Sequence, residues 1–197
     1  MKNKENHNNR IRQMTLTALM CAVMCILCPV SVPVGPVPVS LGVFALFLTA
    51  FVLPPLQAVA ACLMYLLLGA AGLPVFAGYQ AGVMRVLGPT GGYLAGYLPL
   101  VWIASAGVRY AYRRYSHVPR ILIQTAAMLA GLLLLYCLGT AWFVFSMEGM
   151  TVPASLAVCV FPFLPFDLLK IAAALVAGNA LYSALLRTGL LSPQSHA

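Results

Sequence analysis

The chain has 197 residues, 62% of them hydrophobic and 7% charged, and its mean hydropathy is +0.96. This composition excludes an ordinary soluble domain and indicates an integral membrane protein with one domain. Eleven Lys and Arg residues against three Asp and Glu residues give a net charge of +8. Because the basic residues flank apolar segments without interleaved aromatic residues, we interpret the charge as contact with membrane lipid headgroups and not as nucleic-acid binding.

Apolar segments separated by Pro, Gly or Arg clusters predict an all-α membrane domain. A spanning helix needs roughly 20 apolar residues. The six predicted spans, in chain order, are 14–28, 41–53, 56–71, 92–109, 121–145 and 166–186. We expect residues 1–13 to be a basic cytoplasmic tail, residues 14–188 to form one six-helix domain, and residues 189–197 to be a second cytoplasmic tail.

The second and third spans flank Pro54 and Pro55, and each is short enough that the two could instead be one kinked helix. Charge decides between these alternatives, because Lys and Arg tend to remain on the cytoplasmic side. With two helices, one side holds nine of the eleven basic residues: Lys2, Lys4, Arg10, Arg12, Arg109, Arg113, Arg114, Arg120 and Arg187. We therefore predict six spans in the cell membrane, with both termini cytoplasmic.

The six cysteines and three histidines do not indicate a metal site. Cys21, Cys25 and Cys28 fall near one helical face, but every His lies in a tail or loop, and buried Cys behaves as a small hydrophobe. An intramembrane enzyme would need a nucleophile with a base, and no His is embedded. A phosphate-binding Gly-x-x-x-x-Gly-Lys-Ser/Thr motif is also missing from the sequence, so we do not expect ATP hydrolysis by this chain alone.

Three irregular segments, 29–40, 72–92 and 148–165, are predicted on the side opposite the basic residues. Irregular backbone at membrane depth needs protein or a water-filled cavity to satisfy its polar groups, so these segments predict a cup. The glycines of segment 72–92 favour positive φ angles and close approach to a ligand. Alternatively they permit tight helix packing, with Gly92 and Gly96 at small-xxx-small spacing. The sequence leaves both interpretations open.

Asp167 and Lys170 are the only oppositely charged pair within an apolar span. Pro165 predicts a helix start just before them, which places both side chains on one helical face. Since moving each charge toward the bilayer centre costs about 2.5–3.5 kcal/mol, the pair should face a cavity or each other. A ligand-binding pair would offer a carboxylate to N–H donors and an ammonium to a carboxylate. A mutually satisfied ion pair near the interface is the alternative.

Several motifs resemble one known family. They are Gly-Leu-Pro-Val-Phe-Ala-Gly at 72–78, Gly-Pro-Thr-Gly-Gly-Tyr-Leu at 88–94 and Pro-Phe-Leu-Pro-Phe-Asp-Leu-Leu-Lys at 162–170, with support from segments 37–41 and 139–142. In this order and spacing they are similar to the BioY family, the biotin-binding S components of energy-coupling factor (ECF) transporters. The sequence departs from the family pattern at Ser40-Leu-Gly42, where Thr-Leu-Gln is common, and at Phe166, where Gly is common.

The resemblance implies an S-component fold of six helices, whose external loops and last helices enclose biotin near the outer surface. Biotin is then a transported ligand, no cofactor is expected, and the partners are a T component and two cytoplasmic ATPases. The residues implied as biotin contacts are Tyr79, Gln80, Arg85, Thr90, Gly91, Trp142, Phe163, Asp167 and Lys170. Tyr79, Tyr93, Trp142 and Phe163 would supply an apolar wall.

The resemblance also implies a partner surface on the first span. Ala18 and Ala22 are spaced so that another helix can approach closely, and in the family such an alanine face meets the T component. Packing within this chain is the alternative. Other functions left open are an S component for a different small vitamin, a self-sufficient secondary transporter, a pore, and assembly as a homo-oligomer.

Overall fold

The computed structural model describes residues 2–34, 37–147 and 149–190. Helices dominate this part of the chain, and a two-stranded hairpin follows the first of them. The elements in order are α1 Lys2–Leu27, β1 Ser31–Val34, β2 Val37–Ser40, α2 Gly42–Val52, α3 Pro55–Ala70, α4 Val83–Leu87, α5 Gly91–Arg114, α6 His117–Ser146, α7 Val152–Cys159 and α8 Leu164–Arg187.

Each of the six predicted spans coincides with a helix: α1, α2, α3, α5, α6 and α8. Among the described residues, four of these helices are long and apolar enough to cross a membrane, namely α1, α5, α6 and α8. The other two are shorter: α2 has 11 residues and α3 has 16. At 1.5 Å per residue they extend about 17 and 24 Å. Helix α1 also continues through most of the predicted N-terminal tail.

The joint between α2 and α3 consists of two extended residues, Leu53 and Pro54. The prediction of two helices here is therefore confirmed, and one kinked helix is wrong. Because prolines at 54 and 55 provide no N–H, the last carbonyls of α2 need other donors. Helix α5 supplies them: Ser105 Oγ donates to the Leu53 carbonyl at 2.6 Å, and Arg109 Nη2 donates to the Val52 carbonyl at 2.7 Å.

Hydrogen bonds and ring contacts define one end of the bundle, which we call the arginine end. Arg12 Nη1 donates to the Gly189 carbonyl at 2.7 Å, so α1 meets the residues after α8. Gln57 on α3 bonds to Gln13 at 3.3 Å, and the Arg109 guanidinium lies 5.6 Å from the ring centre of Tyr182 on α8. Arg12 and Arg109, two of the basic residues predicted to share one side, therefore lie at this end of the fold.

The opposite end, which we call the loop end, carries the hairpin, α4, α7 and the start of α8. Segment 29–40, predicted to be irregular, instead contains an antiparallel hairpin in which Ser31 pairs with Ser40. Pro33 pairs with Pro38. In an antiparallel ladder, residues of a non-hydrogen-bonded pair do not need an N–H donor. Prolines are therefore compatible with strand pairing at these positions.

Two further short helices were not predicted. Helix α4 lies inside the Gly-rich segment 72–92, and α7 lies inside segment 148–165. Helix α7 begins after Thr151, whose side chain accepts a hydrogen bond from the Ala154 N–H. A five-residue helix such as α4 has too little periodicity to be distinguished from a loop in the sequence.

Glycines let α5 and α6 pack closely along their length. A Cβ atom added to Gly92 or Gly107 would overlap α6 side chains, and one added to Gly139 would overlap the Tyr93 ring on α5. At Gly96 the added atom would lie 2.8 Å from a methyl carbon of Leu135. Small residues that allow such approach are typical of helix interfaces in membranes.

Candidate functional site

The start of α8 places the Asp167–Lys170 pair at the loop end. Pro165 lies in the first turn, where its missing N–H has no helical partner to lose, and Asp167 follows in the same turn. Lys170 Nζ lies 2.7 Å from Asp167 Oδ1. The predicted pairing on one helical face is therefore confirmed.

Asp167 has a second partner on another helix. The Tyr136 hydroxyl of α6 donates to Asp167 Oδ2 at 2.6 Å, so both carboxylate oxygens are hydrogen-bonded. Only 3% of Asp167 is exposed. Since a buried carboxylate needs a counter-charge and hydrogen bonds, Lys170 and Tyr136 together compensate for its lost hydration.

The pair faces a cavity of about 80 Å³. Its wall is mainly aromatic and aliphatic, and the charged groups lie on one side. The lining residues are Ser40, Val43, Tyr93, Tyr97, Leu135, Tyr136, Cys159, Phe163, Asp167 and Lys170. An apolar wall with a few converging polar groups is the usual character of a small-molecule site.

A second cavity of about 80 Å³ adjoins the first. The two share Ser40, Tyr93 and Tyr97, and the second is lined in addition by Phe76, Ala77, Arg85, Thr90 and Leu94. Arg85 is half-buried and comes from α4. The combined space therefore has an ion pair on one side and a guanidinium on the other, separated by tyrosine rings.

The loop between α3 and α4 covers this region and is fixed to the core. Phe76 is 1% exposed and meets the Tyr65 ring edge-on, with 5.8 Å between centroids. The Tyr65 hydroxyl donates to the Val75 carbonyl at 3.2 Å. The Gly78 N–H donates to the Pro29 carbonyl at 3.1 Å, which connects the loop to the end of α1.

The glycines of this segment have two different structural roles. Gly72, Gly78 and Gly82 have φ angles of 110°, 71° and 98°, which are the turn conformations expected in the loop. Gly92 and Gly96 instead serve the contact of α5 with α6.

The structure brings five of the nine predicted contact residues to these cavities. Phe163, Asp167 and Lys170 line the first, and Arg85 and Thr90 line the second. Tyr93, predicted as part of the apolar wall, lines both.

The other four lie nearby without lining either cavity. Tyr79 is 67% exposed, and Gln80 is exposed and forms a backbone bridge with Phe76. At Gly91 a side chain would overlap the Val86 carbonyl. Trp142 donates its indole N–H to the Gly88 carbonyl at 2.9 Å and thereby connects α6 to the residues before α5.

Sequence reasoning missed Tyr136, Tyr97 and Phe76 as lining residues. Tyr136 lies inside the apolar run Leu-Leu-Leu-Leu-Tyr-Cys-Leu, where a hydroxyl needs a hydrogen-bond partner. This signal could have identified a polar contact in α6, although not Asp167 as the partner. Tyr97 lies one turn after Tyr93, so its position was also accessible from helical spacing.

Ala18 and Ala22 are exposed on the outer surface of α1. Two large apolar side chains of the same helix are also exposed: Leu19 is 55% exposed and Ile26 is 69% exposed. The two alanines therefore do not pack against other helices of this chain, which was the alternative role.

Comparison with known proteins gives a consistent result. The profile of the BioY family matches residues 1–187. The chain is 35% identical to the biotin transporter BioY2 of Lactococcus lactis subsp. cremoris, with 92% of this chain and 96% of that protein covered. It is 36% identical to the biotin transporter BioY of Thermotoga maritima, with coverage of 85% and 94%.

The fold is also similar to a crystal structure of the S-component for biotin from an ECF-type ABC transporter. The TM-score is 0.78 at 25% sequence identity, with 89% of this chain and 93% of that chain covered. The family profile, the relatives and the fold thus agree over most of the sequence, and the chain belongs to the BioY family.

Proposed function

We propose that this multi-pass membrane protein is the biotin-capturing S component of an ECF-type transporter. The observation that carries the proposal is the buried Asp167–Lys170 pair, held by Tyr136 and facing an aromatic cavity, in a member of the BioY family. The names of its relatives support biotin as the ligand. The role is capture and release, without covalent chemistry on the ligand.

The two adjoining cavities suit the chemistry of biotin. Its ureido ring has N–H donors and a carbonyl acceptor, and a valerate chain with a carboxylate extends from the other end of the molecule. The N–H groups bind the Asp167 carboxylate, and the ureido carbonyl accepts from Lys170. The thiophane ring lies against Tyr93 and Tyr97, and the valerate carboxylate reaches toward Arg85 and Thr90.

The proposed topology has six spans, with the arginine end in the cytoplasm and the loop end outside. Support comes from Arg12 and Arg109, which lie at the arginine end, and from the tendency of Lys and Arg to remain cytoplasmic. The short helices α2 and α3 complete the six, since side chains of the neighbouring helix α5 satisfy the backbone at their joint. Both termini are cytoplasmic.

The energising partners are a T component and two cytoplasmic ATPases. The exposed Ala18–Ala22 face of α1 is the proposed contact for the T component, because small residues allow close helix approach. ATP-driven movement of the partners then turns the site inward. Biotin shifts this equilibrium only through its different affinity for the two states.

Calorimetric titration tests the proposal. Protein purified in detergent without added vitamin should bind biotin tightly and with one-to-one stoichiometry, whereas Asp167→Asn and Lys170→Ala should lose binding. Arg114→Gln is the matched control, because it removes a charge at the arginine end and should leave binding unchanged. With T component and ATPases in liposomes, biotin uptake should require ATP.

Each negative result of these experiments would point to a different explanation. Binding that survives both substitutions would move the site away from the α8 pair. If well-folded wild-type protein failed to bind biotin, another small ligand would have to be considered. Uptake by the chain alone, without partners or ATP, would favour a secondary transporter or pore.

A further inference from the structure

A larger cavity lies at the arginine end, remote from the proposed biotin site. Its volume is about 330 Å³, roughly ten times the ~30 Å³ that one water molecule occupies in the liquid. It lies between the α2–α3 joint and the end of α5. The lining residues are Pro54, Pro55, Ala106, Arg109, Tyr110 and Arg113.

Arg109 is the buried cation of this cavity. Only 8% of the residue is exposed, and its guanidinium contacts the Val52 carbonyl and the Tyr182 ring. Its Nε is buried without a hydrogen-bond partner. In the part of the chain that the structure describes, the guanidinium thus has a carbonyl and a ring as contacts, and its charge is not matched by a carboxylate.

Arg113 lies one turn beyond Arg109 and is exposed. Like charges at i and i+4 on a helix repel each other, so an anion between them would stabilise both. Guanidinium groups match the geometry of phosphate oxygens through paired N–H donors. Tyr110, which is 54% exposed, adds a hydroxyl donor at the cavity mouth.

The prolines and Ala106 make the remaining wall apolar, which suits an amphipathic molecule better than a small ion. Exposed Arg113 and Tyr110 indicate that the cavity opens to the surface at the end of the helices. Anionic phospholipids supply a phosphate group at the level where helices leave the bilayer, and basic pockets between membrane helices bind such headgroups. We propose that this cavity binds the phosphate of an anionic phospholipid.

Thermal unfolding with defined lipids tests the proposal. Delipidated protein in detergent is titrated with phosphatidylglycerol, with phosphatidylcholine and with glycerol 3-phosphate. Phosphatidylglycerol should raise the Tm most, because a ligand of the folded state stabilises it by mass action. Arg113→Gln should lose most of that rise, whereas Arg114→Gln, an exposed neighbour that does not line the cavity, should keep it. Arg109 is left intact because it also completes the end of α2.

Each outcome bears on the proposal. Equal loss in the Arg113 and Arg114 variants would overturn it, since the lipid effect would then be general surface attraction. Absence of a Tm rise with phosphatidylglycerol would also overturn it and would favour an acidic protein partner at this cavity. An equal rise with glycerol 3-phosphate would retain the phosphate site but name a soluble phosphate ester as its occupant. Biotin titration of the same samples separates these results from the fate of the proposed function.

Discussion

The two ends of the bundle manage buried charge in opposite ways. At the loop end, Asp167 neutralises Lys170 at 2.7 Å, and Tyr136 satisfies the second carboxylate oxygen. At the arginine end, Arg109 has a carbonyl and a ring as its partners in the described part of the chain. A chain with three acidic residues can therefore compensate few cations internally. The compensated pair faces the aromatic cavity, and the other cation faces a space that can admit an anion.

The largest effect is expected when the Asp167–Lys170 pair itself is changed. Asp167→Leu alone leaves Lys170 without its counter-charge and should lower the free energy of unfolding by about 3–5 kcal/mol. The double variant Asp167→Leu with Lys170→Met should regain most of that loss, because no isolated charge remains. Biotin binding should be absent from both. Thermal unfolding and calorimetry measure the two quantities, and a double variant as unstable as the single one would show that the pair is structurally required.

A smaller effect is expected at the arginine end. Arg109→Met keeps an apolar stem but removes the donor to the Val52 carbonyl, which should cost about 1.5–3 kcal/mol of stability. Biotin affinity should not change, because the cavity at the loop end is untouched. Denaturation and biotin titration of the same preparation check both statements. A parallel loss of affinity would mean that the two ends are coupled.

The Tyr136 hydroxyl offers a test of how well the carboxylate is pre-positioned. Tyr136→Phe leaves Asp167 Oδ2 without its donor, so the carboxylate can rotate away from the orientation used for biotin. We expect about a tenfold loss of affinity, which corresponds to ~1.4 kcal/mol. Tyr112→Phe removes a hydroxyl that bonds Asn179 at 2.7 Å instead and should leave the affinity unchanged. An unaltered affinity in Tyr136→Phe would assign the hydroxyl to folding alone.

The smallest predicted effect concerns Trp142. Trp142→Phe removes the bond to the Gly88 carbonyl and should cost about 0.5–1.5 kcal/mol of stability. Because Trp142 does not line either cavity, biotin affinity should remain within about twofold, an energy difference well below 1.4 kcal/mol. A larger loss would support the original expectation from the family resemblance that this ring contacts biotin.

Much of the fold and part of the site could be predicted from local sequence patterns. Proline positions and apolar runs located six helices to within a few residues at most ends, and helical spacing paired Asp167 with Lys170. The contact of Tyr136 with Asp167 was not predictable in this way, because helical spacing assigns a face without naming the neighbouring helix. The family resemblance identified the Gly-rich loop, but the predicted contact residues within this loop lie on different sides of the same backbone.

Residues of the Gly-rich loop illustrate that limit. Arg85 lines a cavity only because α4 turns it inward, and a helix this short left no periodic signal. Tyr79 has a φ of 59° and follows Gly78 in the tight turn that the Phe76–Gln80 bridge closes. Its ring is exposed there. Composition could indicate a turn there but not the direction of each side chain.

The glycine contacts between α5 and α6 have a practical consequence for measuring motion in this protein. Because added atoms at Gly92, Gly107 and Gly139 would collide with the facing helix, the two helices are in close contact and have little room to slide past each other. They therefore provide a suitable frame of reference for spectroscopy. A pair of spin labels with one on this frame and the other on the α3–α4 loop would report displacement of the loop alone, whichever way the whole protein tilts.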